Sequence, residues 1–160
     1  MSDRALVFSN SNATVKRPGG ASCYPAAFAE LPADRCMCVV VLDACPRGNN
    51  WMSFGLCKSG FESTSSDGVG RSSNSWGICD NRDRTTVDLT HVASNGQLVT
   101  RCRKLVIGDR LSCLVDVSEG FCEVALNTSE FVYRFEIPKM TKKQLYFVAT
   151  MANDHQVSLV

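Results

Sequence analysis

The sequence predicts an all-β protein, a bent antiparallel sandwich of two sheets. Three observations carry this. Apolar residues recur with a period of two through most of the chain. Gly and Pro punctuate its first 120 residues so densely that no long helix fits. Roughly ten short strand-like runs are separated by turn signals at regular spacing, as in sandwiches and barrels.

Taken in chain order, AAFAEL has helical propensity but lies between Pro25 and Pro32, so a helical turn near residues 26–31 is the most it can form. Cys36 to Leu42 is apolar at consecutive positions, which predicts a strand covered on both faces. The stretch Lys58 to Ser75 contains ten Ser or Gly in eighteen residues and is too long for a hairpin turn. In Leu111 to Val117 the odd positions are apolar, and Arg110, Ser112 and Asp116 face the other way. Cys122, Val124 and Leu126 repeat the pattern after Ser118-Glu119-Gly120, so residues 110–126 read as a hairpin. Phe131, Tyr133, Phe135 and Ile137 alternate with Arg134 and Glu136. Residues 139–160 lack Gly and Pro and have the propensity for a helix. The β-branched and aromatic LYFVAT and the alternating Val157 and Leu159 favour strands.

With 160 residues the chain is one domain, 1–160, large enough to bury its own core. Its composition, 44% hydrophobic and 21% charged, is that of a globular protein. The net charge of +1 and the lack of any run of four like charges argue against a nucleic-acid surface. Lys139, Lys142 and Lys143 read as a solvated loop. The start MSDRALVFSNSN has no apolar stretch for a signal peptide, and no segment approaches a membrane span. A reducing, cytoplasmic setting is expected, with the nine cysteines as free thiols and the sequons at Asn12 and Asn127 without consequence. Most cysteines sit in apolar runs, where they behave as small core hydrophobes. Cys36 and Cys38 have no partner pair at metal-ligand spacing, and His91 and His155 are remote, so no metal and no cofactor is expected. Gly68-Val69-Gly70-Arg71 lacks the lysine and the strand-loop-helix setting of a phosphate loop, and no Gly-x-Ser-x-Gly elbow exists.

Several stretches, in order, resemble the SPRY-domain family. LVIGDRLSCLVDVSEGFCEVALN (Leu105–Asn127) is similar to its Gly-Asp-opened hairpin closed by Asn. WMSFGLC (Trp51–Cys57) is similar to its aromatic strand, and SNSWGIC (Ser73–Cys79) to its Ser-Trp-Gly-Leu strand. FEIPKMTKKQLYFVATMANDHQVSLV (Phe135–Val160) resembles the final strands, and LVFSNSNATVKR (Leu6–Arg17) the opening hairpin. Two departures mark a divergent member. Arg35-Cys36-Met37-Cys38-Val39 stands where the family has an aromatic-Trp-Glu-Val strand, and Asn127-Thr128 where it has Asn-Gly.

The resemblance implies a monomeric, non-catalytic module that binds a short segment of a partner protein through loops at one end. Such modules often form the substrate-recognition part of a ubiquitin ligase or a scaffold. It places the site on Arg17-Pro18-Gly19-Gly20, Arg47-Gly48-Asn49-Asn50 and Gly70-Arg71-Ser72-Ser73-Asn74. Arg17 and Arg71 offer guanidinium forks for carbonyls and carboxylates. Asn49, Asn50 and Asn74 offer amide pairs, and Tyr24 or Trp76 an aromatic anchor. Trp76 is read as either core or the floor of the site, and Trp51 as core. Gly108 and Asp109 are read as a turn and its cap. Two other functions stay open. One is a carbohydrate-binding jelly-roll lectin, which would stack an exposed Trp51 or Trp76 on a sugar. The other is a cysteine-dependent enzyme, which would need a thiol beside His91 or His155.

Overall fold

The computed structural model describes residues 7–9, 14–16, 26–44, 52–61, 68–80, 89–151 and 156–160. The strands are β1 (Val7–Ser9), β2 (Thr14–Lys16), β3 (Ala26–Glu30), β4 (Arg35–Ala44), β5 (Met52–Lys58), β6 (Ser75–Asp80) and β7 (Leu89–Ser94). They continue as β8 (Gln97–Arg103), β9 (Arg110–Asp116), β10 (Phe121–Leu126), β11 (Phe131–Glu136), β12 (Leu145–Met151) and β13 (Gln156–Leu159). A single 3-10 turn, Lys142–Gln144, precedes β12. Two antiparallel sheets stack, ordered β1-β2-β13-β4-β9-β10-β11 and β3-β12-β5-β6-β7-β8.

The period of two explains the core between them. On the first sheet Cys38, Val40, Leu42, Leu111, Cys113, Val115, Cys122, Val124 and Leu126 point inward. They meet Phe54, Leu56, Trp76, Ile78 and Val92 from the second sheet. Each fully buried side chain of this size contributes about 1.5–3 kcal/mol relative to leaving it in water. The 110–126 hairpin forms as the alternation predicts, and residues after 139 are extended apart from the 3-10 turn.

Two local expectations are corrected. Ala26–Glu30 is not helical: it pairs antiparallel with β12, from Thr150↔Ala26 to Tyr146↔Glu30, as the outer strand of the second sheet. An edge strand tolerates the bounding prolines, because it needs ladder partners on one side only. The other concerns β4, which packs on one face. Cys38, Val40 and Leu42 are buried, Val39 and Val41 are half-buried, and Met37 is 60% exposed. By contrast β12, the other consecutive apolar run, is covered on both faces, because Val69 and Phe61 lie against Cys57, Val148 and Tyr146 on its outer side.

That cover depends on a backbone-only window. Gly55 and Gly77 face each other across β5 and β6. A Cβ on Gly77 would stand 2.8 Å from Val69 Cγ1 and 2.4 Å from the Phe54 carbonyl, and one on Gly55 2.1 Å from the Trp76 carbonyl.

Candidate functional site

The segment Gly68–Asn74 is held by hydrogen bonds that begin in the strands beneath it. The Ser53 hydroxyl accepts from the Val69 N–H at 2.8 Å and also bonds the buried Thr150 hydroxyl. Ser75 Oγ accepts from the Gly70 N–H at 2.9 Å and donates to the Ser72 carbonyl at 2.7 Å. Gly70 adopts φ 84° and lies so close to β7 that a Cβ would sit 2.5 Å from the Ala93 carbonyl. From the next hairpin, Gly96 N–H donates to the Gly70 carbonyl at 2.8 Å, and Asn95 Oδ1 accepts from the Asn74 N–H at 2.8 Å. Asn74 itself is left-handed, φ 59°, and its carbonyl accepts from the Lys58 N–H at 2.9 Å. The result is a rigid platform with Arg71 half-buried and Ser73 and Asn74 exposed. Arg71 takes part in none of the ion pairs among the described residues. The Arg71 guanidinium and the Asn74 amide are thus carried on a hydrogen-bonded backbone, which reduces the main-chain ordering cost of meeting carbonyl or carboxylate groups.

The sequence expectation gathers three loops at one end, and of these only Gly70–Asn74 lies among the described residues. β2 and β4 run toward the end marked by Lys16, Ala44 and Gln156, which are paired in register. Met52 and Met151 stand at that same end, since only residues 152–155 separate Met151 from Gln156. β6 starts at Ser75, opposite Cys57 near the other end of β5, so Arg71–Asn74 lies at the far end from the exits of β2 and β4. Arg17, Pro18, Tyr24, Asn49 and Asn50 lie outside the described residues, as do Arg47, Gly48, Trp51 and His155.

Trp76 is 1% exposed and packs in the core, so it is not an accessible anchor. Its position follows from register, since the inward alternation of β6 puts Trp76 and Ile78 on the core face and the two glycines of the window on the other. No sugar can stack on it.

Gly108 and Asp109 are structural, as read. Gly108 has φ 92°, and its N–H donates to the Leu42 carbonyl at 2.8 Å. The Asp109 carboxylate accepts both terminal nitrogens of Arg103, at 2.8 and 2.7 Å, the Val106 N–H at 2.7 Å and Asn127 Nδ2 at 2.9 Å. Glu130 completes the set by binding Arg103 and Asn127. Burial pushes the Asp109 carboxyl upward, but its hydrogen bonds with Arg103, Val106 and Asn127 outweigh that and hold it below its usual range. Asn127 and Thr128, in place of Asn-Gly, both adopt positive φ, 48° and 68°.

None of the seven described cysteines forms a disulfide. Burial raises Cys38 and Cys57 to about 12. Cys79 faces His91 across β6 and β7, but it is fully buried beneath Gly68, where a Cβ would lie 3.3 Å from its Sγ. Among the described residues no group of three or more His, Cys, Asp or Glu is placed to hold a metal ion, and no helix is long and apolar enough to cross a membrane.

The hydroxyls of Ser53 and Ser75, which hold the platform, were not singled out by sequence reasoning. Ser53 interrupts an otherwise apolar strand, which is the available signal, whereas Ser75 opens β6 at the end of the polar Ser72-Ser73-Asn74 run and gives none.

Among solved structures, the TRIM65 PSpry domain superposes with a TM-score of 0.72 at 15% identity, over 98% of this chain and 86% of that one. The SPRY domain of human HERC1 gives 0.69 at 12%, over 97% and 91%. The chain has the SPRY fold. Stonustoxin contains the same fold, with a TM-score of 0.63 and 13% identity over 98% of this chain and 25% of the toxin chain. No family model matches the sequence, and no curated protein does. The SPRY fold is therefore retained here on a divergent sequence. Its packing replaces the family's aromatic-Trp strand with β4, where Cys36 and Cys38 take the inward positions.

Proposed function

We propose that this SPRY-fold chain is a non-catalytic protein-interaction module that binds a short segment of a partner protein. Its role would be substrate recognition within a ubiquitin ligase or a scaffold, as the family resemblance implies. The observation that carries the reading is the Gly68–Asn74 platform. Its backbone is fixed by hydrogen bonds, while Arg71, Ser73 and Asn74 are left for a ligand. Preorganised polar groups of this kind recognise peptide carbonyls and carboxylates. Arg17, Pro18, Tyr24, Asn49 and Asn50 form a second loop set in the proposal, reached from β2 and β4.

Selection of a displayed peptide library against the whole chain, followed by calorimetry on the recovered peptides, tests the reading. Arg71→Ala is expected to weaken binding at least about tenfold with an unchanged melting temperature, as for a packed arginine at an interface centre. Arg17→Ala with Asn49→Ala tests the other loop set. If both variants bind every selected peptide as the wild type does, the reading is wrong.

A further inference from the structure

At the end of the sandwich that bears Arg71–Asn74, a groove of about 670 Å³ opens between the chain after β3 and the 3-10 turn before β12. That is within the roughly 300–1,000 Å³ of ligand-binding clefts. Its floor is apolar: Leu31 and Leu145 are buried, and Pro32 and Tyr146 line the wall. Lys142 and Lys143 form one rim and Glu30 the other. Lys142 Nζ donates to the Pro32 carbonyl at 3.2 Å, which holds that side chain across the groove instead of free in solvent.

Beyond Tyr146 the apolar surface continues. The Phe28 ring meets Tyr146 and Phe61 edge-on, each at 6.3 Å between centroids, and Phe28 is 51% exposed. The pairing Tyr146↔Glu30 puts groove and aromatic shelf on one continuous surface. A large aromatic left half in water beside an apolar cleft marks an interaction surface.

The charges identify what fits. None of the ion pairs among the described residues involves Lys139, Lys142 or Lys143. Two lysines and one carboxylate line the groove, an excess of positive charge, and beside them Pro32, Tyr146 and the Phe28 ring keep exposed apolar surface. We infer that this groove docks an acidic peptide segment of a partner protein, with an apolar or aromatic residue against Pro32 and Tyr146 and carboxylates on Lys142 and Lys143. The surface adjoins the Arg71–Asn74 platform. The Ser59 N–H donates to the Gln144 carbonyl at 2.7 Å, and the neighbouring Lys58 N–H donates to the Asn74 carbonyl. One acidic segment running across both would meet Arg71 after the lysines. The groove inference does not depend on that.

The test uses a labelled peptide with a Leu-Phe pair between runs of glutamate, a matched peptide with glutamine in place of glutamate, and fluorescence anisotropy on the whole chain. The glutamate peptide is expected to bind saturably, and to weaken as salt rises past the concentration that screens surface charges, on the order of 0.1 M. Lys142→Glu with Lys143→Glu should weaken it at least about tenfold, and the glutamine peptide should bind at least about tenfold more weakly to the wild type. Lys143→Glu alone, at an exposed position, gives a several-fold loss and serves if the double variant fails to fold. Nuclear magnetic resonance shifts should centre on residues 30–32 and 142–146. The inference is overturned if charge reversal leaves affinity unchanged, if no saturable binding occurs, or if inorganic phosphate displaces the peptide as well as free glutamate peptide does. Loss of binding in Arg71→Ala with full binding in the lysine variants would likewise sink the groove, while leaving the platform reading intact.

Discussion

Thr128 should be more stable as glycine, and its neighbour Asn127 should not, although both residues occupy the same backbone region. The turn from β10 to β11 sets Asn127 at φ 48° and Thr128 at φ 68°. For an L-residue, left-handed backbone costs about 1–2 kcal/mol, and β-branching places threonine at the upper part of that range. Glycine avoids the clash but loses about 0.5–1 kcal/mol more chain entropy on folding. The Thr128 side chain is exposed and no hydrogen bond holds it, so nothing else is lost. The net is a stabilisation of about 0.5–1 kcal/mol, or roughly 2–4 °C per kcal/mol in melting temperature for a chain of this size. Asn127 has the same backbone problem and an opposite answer. Its side chain bonds the Asp109 and Glu130 carboxylates and accepts the Arg110 N–H. At about 1 kcal/mol for each lost bond, and more where the buried Asp109 loses a donor, Asn127→Gly should destabilise by about 1–3 kcal/mol. Urea unfolding followed by circular dichroism measures both. A Thr128→Gly variant less stable than wild type would refute the argument from backbone strain.

Trp76→Ala should cost about 3–5 kcal/mol, as large-to-small changes in a closed core do; a melting temperature close to wild type would mean the indole is not core. Asp109 has its folded carboxyl below its unfolded value, so its contribution to stability is complete above the unfolded value, near 4, and fades as pH falls through the folded one. Asp109→Asn should therefore flatten the acid limb of a stability–pH profile between about pH 5 and 2, and an unchanged limb would contradict the network. Thiol titration at pH 8 should leave Cys38 and Cys57 unreactive in the native protein, with half-buried Cys36 reacting before them. Unfolding without reductant should release nine thiols, and fewer would reveal a disulfide.

Where one sheet face meets the core, residue type alone decides the structure, and those regions were legible. The alternation at Leu111, Cys113 and Val115, then Cys122, Val124 and Leu126, predicts both strands and their facing. Ala26–Glu30 was misread because alanine propensity is local, whereas pairing with β12 some 120 residues away decides the strand. Asn95-Gly96, at φ 51° and 84°, is the two-residue connection that turns β7 into β8, a signal present in the sequence but not used. The end of the sandwich that bears Arg71–Asn74 was not legible, because a chain segment's end depends on strand direction, and motif order does not encode it. Lys142 and Lys143 looked like solvated charge for a similar reason. The apolar floor that gives them meaning comes from Leu31, more than a hundred positions earlier.

The Gly55–Gly77 window also bears on how recognition sequences can be exchanged on this scaffold. The covering segment is located by main-chain atoms and by two serine hydroxyls, with Val69 as its one inserted side chain. Positions 71–73 therefore carry little responsibility for where the segment lies. New tripeptides grafted there inherit a fixed presentation without renegotiating the core, which makes this corner a natural display site for engineered specificities. The same logic sets the limit of such grafts: Gly70 and Gly77 must stay, because a side chain at either would push the segment off the sheet, and so must Gly55, where a side chain would force β5 from the β6 backbone.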